Sequence, residues 1–286
     1  WTDFNTDGKT DLIIVGEWMK IRFLRNDGKT LTEITDECGL KDSEGWWNTI
    51  IAEDFDRDGD MDYVAGNLGL NSQIKASVNE PVTIYAKDFD NNGSLDALMC
   101  YYILGTSYPF YAKDDLQDQM PFIAKKYPTY ESYTNQKITD IFSAVELSNA
   151  LLLKATVFST CYIENKGSNQ FKLSPLPREA QFSPVYAINT GDFNKDGNTD
   201  ILLAGNFFGT RIKFGEYDAN KGLILIGNGK GEFAPLNDLQ SGFNIRGEVR
   251  DIRSITLDSG KSILVFAINN DSAIIYRYTG EVNSKQ

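Results

Sequence analysis

The sequence predicts an all-β fold, a β-propeller that carries a small helical insertion. A nine-residue acidic loop occurs four times in the 286 residues, short apolar segments flank most of these loops, and the whole unit recurs along the chain. Short strands that recur with intervening turns are typical of propellers and related arrays. About five blade-like units can be counted, and we expect them to form part of a propeller with about seven blades.

The acidic loop has an oxygen-bearing side chain at its positions 1, 3, 5 and 9 and Gly at position 6. Alternate oxygens can then point inward around a hard cation, Gly permits the tight bend, and position 7 supplies its backbone carbonyl. Ligands that are all oxygen favour Ca²⁺ over zinc or copper. The predicted metal ligands are Asp3, Asn5, Asp7, Lys9 and Asp11; Asp54, Asp56, Asp58, Asp60 and Asp62; Asp88, Asp90, Asn92, Ser94 and Asp96; and Asp192, Asn194, Asp196, Asn198 and Asp200. We expect about three to four Ca²⁺ ions, with a weaker or empty site at 88–96, where Asn92 replaces Asp at position 5.

These loops differ from EF-hands, which need a bidentate Glu at position 12 and a helix on either side. Position 12 holds Ile14, Ala65, Met99 or Leu203, and none of these side chains can bind a metal. A short apolar run follows each loop and ends near Gly, which favours a strand over a helix. These runs lie at 12–15, 63–65, 97–99 and 201–204, and extended segments precede three of the loops at 49–52, 82–86 and 185–188. The repeating unit is therefore strand, calcium loop, strand, and an EF-hand calcium sensor is excluded.

The loops resemble FG-GAP/VCBS repeats, which form the blades of integrin-α-like β-propellers. The likeness rests on the Asp-Phe opening of each loop and on the pairs Gly66-Asn67 and Gly205-Asn206. Segments at 23–29, 35–40, 176–177, 180–184 and 215–219 are similar to the C-terminal part of bacterial VCBS proteins, which are related to the ASPIC/UnbV and cartilage acidic protein group. The resemblance implies a calcium-stabilised scaffold that binds partners, without a common reaction.

The turn residues divide the chain into blade-like units within a single domain over 1–286. The first unit (1–35) lacks its first strand, so we expect upstream residues of the same chain to complete the propeller. The second runs from Trp46 to about Glu80, the third begins at Pro81 and is interrupted, and the fourth spans 183–236. The fifth, about 243–280, has no calcium loop and is expected to form strands at 247–256, 261–268 and 273–279.

The interruption of the third blade is a mainly helical insertion at 105–154, between strands of that blade. Helical spacing occurs at 114–120, 122–127 and 144–153, with Asp114 as a candidate N-cap. One interpretation is a helical patch that covers a face or edge of the blade. The other is a partner-binding element lined by Tyr127, Tyr130, Tyr133 and Phe142.

Composition limits the functional classes. The net charge is −12, but the four loops hold 14 of the 40 acidic residues, so the acidity reflects ligand chemistry. Without a Lys/Arg cluster, nucleic acid is not an expected partner. The chain contains no His, which excludes Ser-His-Asp and Cys-His catalysis and His-ligated metals. The three cysteines, Cys38, Cys100 and Cys161, allow at most one internal disulfide, and Cys100 and Cys161 are expected to be buried free thiols because they lie in apolar, strand-like runs. No apolar run is long enough for a membrane span.

Two other features have both a functional and a structural interpretation. Trp46 and Trp47 could stack on a sugar ring, but adjacent strand residues point to opposite faces, so at least one is expected in the core. The acidic cluster Asp114, Asp115 and Asp118 could supply the two carboxylates of a glycosidase, or it could be a solvated helix face. Core packing and the solvated face are the favoured interpretations.

The resulting functional prediction is a calcium-stabilised interaction module with a protein or glycan partner. It is expected to be extracellular, periplasmic or anchored at the outer-membrane surface, with an export signal upstream of Trp1, because loops without a bidentate Glu suit high calcium concentrations. The alternative is a carbohydrate-active hydrolase or lyase built on a calcium-binding propeller.

Overall fold

The computed structural model describes residues 1–211, 215–259 and 261–277. In chain order the strands are β1 (Leu12–Ile14), β2 (Glu17–Met19), β3 (Arg22–Asn26), β4 (Leu31–Glu33), β5 (Gly45–Trp46), β6 (Thr49–Glu53), β7 (Asp62–Gly66), β8 (Val82–Lys87), β9 (Asp96–Ile103), β10 (Thr106–Pro109), β11 (Leu151–Ala155), β12 (Cys161–Asn165), β13 (Phe171–Pro175), β14 (Val185–Gly191), β15 (Asp200–Gly205), β16 (Leu223–Gly227), β17 (Phe233–Pro235), β18 (Val249–Thr256), β19 (Ser262–Ile268) and β20 (Ile274–Arg277). The helices are α1 (Lys113–Gln119), α2 (Phe122–Lys126), α3 (Tyr130–Tyr133), α4 (Ile138–Ile141), α5 (Ala144–Ser148) and α6 (Asp238–Ser241), with a 3-10 helix at Arg178–Gln181. Antiparallel strands in several sheets, with few helices, confirm the all-β, propeller-like fold class.

The chain divides into two compact units. The first comprises Trp1–Gln73 and Phe158–Gln286, and the second comprises Ile74–Val157. The second unit therefore enters the chain between two segments of the first. None of the helices in the described residues combines the length and hydropathy of a membrane span.

The first unit consists of short antiparallel sheets. Their strand orders are β1-β3-β4, β13-β12-β7-β6, β14-β15-β16-β17 and β18-β19-β20, with a small β2-β5 pair. The sequence placed the second blade between Trp46 and about Glu80, whereas its outer strands β12 and β13 come from 161–175. The prediction was wrong because it assumed that all strands of a blade are contiguous, and here the entire second unit separates β7 from β12.

Successive sheets of the first unit pack through their first strands. β14 contacts β6 and β7 of one sheet and β18 of another, as the inner strands of neighbouring propeller blades do. Gly66, at the end of β7, makes this approach possible, since a Cβ there would lie 2.6 Å from the carbonyl oxygen of Val185. Buried apolar clusters fill the space between these sheets, with Val64, Leu203 and Phe266 among their members.

The three strands predicted for the fifth blade are present. The sequence placed them at 247–256, 261–268 and 273–279, and the structure has β18, β19 and β20 in a β18-β19-β20 sheet. Residues 278 and 279 of the last predicted strand lie outside the described residues. The continuous apolar run at 263–268, which follows a turn segment at 257–261, is a local signal that locates the central strand without tertiary information.

The second unit is one four-stranded sheet with helices between two of its strands. The sheet order is β10-β9-β8-β11, and α1 to α5 lie between β10 and β11 in the chain. The helices and the sheet share a core that includes Leu98, Cys100, Leu116, Ile123 and Phe142. The predicted insertion at 105–154 thus contains all five helices together with β10 and most of β11.

Two local predictions for this segment were wrong. Asp114 is not the N-cap, because α1 begins at Lys113 after Ala112, and the Asp115 carboxylate accepts the Ala112 N–H at 3.3 Å. The predicted helix at 144–153 ends at Ser148, and the chain then forms β11, which pairs with β8. Leu-rich segments fit both helix and strand, so only the available sheet edge decided the outcome.

A first prediction concerns the close contact at Gly66. Gly66→Ala should lower the free energy of unfolding by about 1–3 kcal/mol, because the added methyl group meets backbone that cannot move away independently. The measurement is urea-induced unfolding. Gly191→Ala is the matched control, since a Cβ at that glycine meets only the Phe193 ring at 3.6 Å. Equal unfolding midpoints for the two variants would contradict the packing described here.

Candidate metal centres

All four acidic loops have the same backbone conformation. The non-glycine residue at position 4 has a left-handed φ of 59–64° in every loop, at Thr6, Arg57, Asn91 and Lys195. The Gly at position 6 also has a positive φ, from 81° to 95°, at Gly8, Gly59, Gly93 and Gly197. The φ near 60° at position 4 is within the left-handed region that a residue with a side chain can adopt, whereas the larger φ at position 6 lies beyond it and favours Gly. The repeated sequence pattern therefore corresponds to a repeated three-dimensional loop.

The carboxylate at position 1 closes the loop through backbone N–H groups. In the first loop, Asp3 accepts the N–H of Asp7 at 3.1 Å through Oδ1 and that of Gly8 at 2.8 Å through Oδ2. Asp88 and Asp192 accept the equivalent pairs of N–H groups in the third and fourth loops. A carboxylate has about four lone-pair sites, so these bonds leave capacity for a cation.

The carboxylate at position 9 is buried and connects each loop to the rest of its sheet. Asp11, Asp62, Asp96 and Asp200 are no more than 1% exposed. Each accepts the N–H of the Phe at position 2, at distances from 2.8 to 3.3 Å. The other carboxylate oxygen accepts a donor from a distant element: the backbone N–H of Asn26, Asn165 or Gly227, or the side-chain amide of Gln119. Position 9 therefore has a structural function whether or not a metal is bound.

In the second loop, three carboxylates converge. Asp54, Asp56 and Asp58 each offer an oxygen, and these atoms lie within 4.8 Å of one another. Asp54 Oδ1 and Asp60 Oδ1 are buried and have no hydrogen-bond partner within the described residues. Burial, followed by the neighbouring Asp58, raises the pKa of Asp60 to about 6. A site with buried, unpartnered carboxylate oxygens has the donors that Ca²⁺ requires.

Asp62 is not part of that group of three. Its Oδ2 accepts the Tyr162 hydroxyl at 2.6 Å and the Phe55 N–H at 3.3 Å, and its Oδ1 accepts the Asn165 N–H at 2.7 Å. Burial raises the pKa of Asp62 to about 6 in spite of these donors. The structure thus separates position 9 of this loop from positions 1, 3 and 5.

The third loop brings together a different set of carboxylates. Asp88, Asp90 and Asp96 offer oxygens within 4.8 Å of one another. Asn92, the residue that departs from the pattern, uses its side-chain oxygen to accept the Ser94 N–H at 2.7 Å. The substitution at position 5 therefore leaves three carboxylates that fit a hard cation.

The first and fourth loops have Asn at position 3, so each holds three carboxylates, as the third loop does, against five in the second. Asn5 and Asn194 accept the N–H of the Asp at position 5 through their side-chain oxygens, at 3.0 Å in both loops. The Lys9 backbone N–H is the main cause of the lowered pKa of Asp7, and that of Asn198 lowers the pKa of Asp196 in the same way. These two carboxylates stay ionised, as metal ligands must be.

The sequence did not predict which residues donate hydrogen bonds to the carboxylates at position 9. Asn26, Asn165 and Gly227 each end the strand that pairs with the strand after the loop, and each begins an x-x-Gly turn. Asn165 also donates through its side chain to the Phe4 carbonyl at 3.0 Å, and so connects the first and second loops. The recurring turn, Asn26-Asp-Gly, Asn165-Lys-Gly and Gly227-Asn-Gly, was the available sequence signal.

The structure also places the aromatic residues singled out in the sequence. Trp47 is buried, and its indole N–H donates to the Ser43 carbonyl at 2.8 Å, which confirms that at least one of the two tryptophans is in the core. The Trp46 ring packs between Trp18 and Phe158, with centroid distances of 5.0 and 4.8 Å. These contacts serve packing within the first unit.

The predicted aromatic lining of the insertion is only partly on the surface. Tyr127 and Phe142 are buried in the core of the second unit, so the hypothesis that they line a partner-binding surface was wrong. Tyr130 is exposed, and Tyr133 is half-buried. Tyr127 and Phe142 fall at helical spacing because their rings pack against the sheet in the core of the second unit.

The acidic cluster on α1 makes local hydrogen bonds, and the cysteines are buried. The Tyr130 hydroxyl donates to the Asp114 carboxylate, Asp115 caps the start of α1, and Asp118 lies on the same helix. All three cysteines are free and buried, which confirms the prediction for Cys100 and Cys161, and burial raises the thiol pKa to about 11 at Cys38 and to about 12 at Cys100 and Cys161. Such thiols are poor nucleophiles at neutral pH.

Comparison with known families agrees with the loop geometry. Residues 3–65, which contain the first two acidic loops, match the FG-GAP-like repeat. A search of curated proteins found no significant match. The chain therefore carries an FG-GAP-like repeat at 3–65, and this repeat suggests a β-propeller-type interaction module.

A second prediction separates the structural carboxylate from the exposed ones. With a calcium chelator present, Asp62→Ala should lower the free energy of unfolding by about 3 kcal/mol or more, because three donors lose their acceptor in a buried site. Asp58→Ala, which removes an exposed carboxylate from the same loop, should change it by less than about 0.5 kcal/mol. Chemical unfolding measures both values. Similar losses for the two variants would refute the distinction between positions 5 and 9.

Proposed function

We propose that the protein is a calcium-stabilised interaction module that works outside the cytoplasm. The observation that supports calcium is the second loop, where oxygens of Asp54, Asp56 and Asp58 lie within 4.8 Å of one another and the buried Asp54 Oδ1 and Asp60 Oδ1 lack partners in the described chain. Like charges at this separation repel one another strongly. A divalent cation would offset the repulsion and supply the missing partner for Asp54 Oδ1.

The donor set fits Ca²⁺ better than other common metals. The candidate ligands at positions 1, 3, 5 and 9 are carboxylate or amide oxygens, and position 7 would add its backbone carbonyl in each loop. Neither His nor Cys belongs to the loops, so a zinc or copper site is not favoured. The ligands we assign are those predicted from the sequence at 3–11, 54–62, 88–96 and 192–200. The ion is structural in this proposal, because it would fix the loop that joins two strands of a sheet.

We propose that the third loop also binds Ca²⁺. Its sequence suggested a weaker site because of Asn92, but Asp88, Asp90 and Asp96 converge as closely as the carboxylates of the second loop. We therefore propose up to about four Ca²⁺ ions, one for each loop.

The calcium chemistry also supports an extracellular or periplasmic location. None of the loops has a bidentate Glu at position 12, which contributes to tight binding in cytosolic sensors. Weaker sites fill at the calcium concentrations found outside cells, where modules with Kd values of about 10⁻⁴–10⁻³ M function. Attachment at the outer-membrane surface is compatible with the same argument.

The proposed partner is a protein or a glycan. Blade-like sheets joined by loops expose many side chains on a rigid scaffold, which is how loop-borne binding surfaces are commonly built. We also propose a relationship to the bacterial VCBS group that includes the ASPIC/UnbV and cartilage acidic proteins. The segments at 23–29, 35–40 and 215–219 and the two Gly-Asn pairs support it.

A third prediction tests the metal. Adding Ca²⁺ to chelator-treated protein should raise the melting temperature, because a ligand that binds only the folded state stabilises by about 2.7 kcal/mol per site at a hundred times its Kd. Mg²⁺ at equal concentration should raise it less, since these flexible oxygen sites do not impose octahedral geometry. Scanning calorimetry measures the shift.

Matched variants test whether the calcium-dependent shift in melting temperature comes from the acidic loops. Asp54→Ala with Asp90→Ala should remove a large part of the calcium-dependent shift, whereas Asp118→Ala, an acidic residue outside the loops, should keep all of it. An unchanged melting temperature with and without calcium would overturn the proposed function.

A further inference from the structure

A groove of about 510 Å³ lies on the second unit, at the hairpin formed by β9 and β10. Its volume is within the range of small-molecule sites, about 300–1,000 Å³. The strand register places Tyr101 opposite Tyr108 and Ile103 opposite Thr106. Since side chains of directly opposed residues share a face, these four form one continuous wall.

The other wall comes from α3 and the link to α4. Tyr133 lines the groove from α3, and Asn135 and Gln136 line it from the link. The Tyr133 hydroxyl donates to the Tyr111 carbonyl at 2.9 Å, which fixes the position of its ring. Among the described residues, the side-chain amides of Asn135 and Gln136 have no hydrogen-bond partner. They are therefore available to a ligand as both donors and acceptors.

The rim of the groove carries an unusual residue. Leu104, at the tip of the hairpin, has a φ of 49° and is fully exposed, with a relative accessibility of 101%. Two-residue hairpin turns with positive φ at both central residues favour Asn or Asp at the first of them, and Leu there is strained. Strained residues that persist are enriched at binding sites. This apolar side chain borders the groove where it could contact a bound molecule.

The chemistry of the lining indicates a neutral ligand. None of the residues that line the groove is charged, although 24% of the chain is Asp, Glu, Lys or Arg. Three tyrosine rings offer flat apolar surfaces, while Thr106, Asn135 and Gln136 offer hydroxyl and amide groups. Sugar rings present C–H groups on one face and hydroxyl groups at the edge, so this combination is complementary to them.

An added peptide strand is a less suitable occupant. β10 is an edge strand of its sheet and could in principle pair with another chain. However, Pro109 lacks the N–H that such pairing would use, and α4 packs against β10. The edge of β10 therefore has one backbone N–H donor fewer, and α4 covers part of it.

We propose that the tyrosine groove of the second unit, formed by Tyr101, Tyr108, Tyr133, Asn135 and Gln136, binds a neutral oligosaccharide. The proposal rests on the function proposed above and assigns a ligand class to it. The rings of Tyr101 and Tyr108 contact the faces of the sugars, and the amides of Asn135 and Gln136 bind their hydroxyl groups.

The test is titration calorimetry in saturating calcium with defined hexasaccharides. Cellohexaose, xylohexaose, mannohexaose, laminarihexaose, maltohexaose and chitohexaose are the neutral probes, and hexagalacturonic acid is the charged one. We expect at least one neutral probe to bind and the charged one to bind at least about ten-fold more weakly, because no cation in the groove compensates its carboxylates.

The variants assign binding to the groove. Tyr108→Ala should weaken the affinity about ten-fold by removing an aromatic face. Asn135→Gly together with Gln136→Ala removes an exposed and a half-buried polar side chain. Gly keeps the left-handed backbone at 135 (φ 64°), so the double variant should weaken binding and still fold. Tyr102→Ala, on the opposite face of the hairpin, is the matched control and should keep full affinity.

The proposal is overturned if no neutral hexasaccharide binds, if the charged probe binds as well as the neutral ones, or if Tyr102→Ala weakens binding as much as the groove variants do. Calcium-dependent melting is measured separately. A protein that melts higher in calcium but binds no sugar would retain the proposed function and refute only the groove.

Discussion

The buried carboxylate at position 9 of each acidic loop is the interaction on which the rest of the structure depends. It is nearly inaccessible to water, yet both of its oxygens accept N–H groups, one from the start of its own loop and one from a more distant element. A buried carboxylate without such donors would cost several kcal/mol. In the sheets that carry an acidic loop, the loop, the strand after it and the element that supplies the second donor must therefore form together, which makes each of these sheets a cooperative unit.

The carboxylates of the acidic loops accept hydrogen bonds that hold the sheets together, and in two loops they also form an acidic cluster. Position 9 accepts hydrogen bonds from protein donors in every loop. In the second loop positions 1, 3 and 5 face one another, whereas in the third loop Asp96 at position 9 converges with positions 1 and 3, and a cation would offset the charge of either cluster. The second unit has the same loop with a different hydrogen-bond donor. The side chain of Gln119, on α1, donates to Asp96 where the other loops use a backbone N–H at a strand end. A helix can therefore replace a strand turn around the same loop, because the carboxylate requires only a donor in the right position.

Packing between the sheets depends on small residues and buried amides. Gly66 admits the Val185 carbonyl, and the residue after it, Asn67, uses its side-chain oxygen to accept the N–H groups of Trp46 at 3.1 Å and Leu68 at 2.8 Å. Asn206, after Gly205, likewise accepts the Asn220 N–H at 2.9 Å and donates to the Gly247 carbonyl at 3.1 Å. The Gly-Asn pairs at 66–67 and 205–206 thus join their two sheets to neighbouring segments through hydrogen bonds that have little competition from water.

The sequence by itself determined the loops, most strands and the all-β class, because the spacing of Asp, Gly and apolar residues is a local property that backbone geometry dictates directly. It also determined the three strands at 249–277 and the burial of Cys100 and Cys161. Only the tertiary structure decided that β12 and β13 complete the sheet of β6 and β7, that Leu151–Ala155 is a strand, and that Asn26, Asn165, Gly227 and Gln119 hold the position-9 carboxylates. These outcomes depend on residues far apart in the chain, whose free sheet edges and unpaired donors become partners only when the sheets assemble.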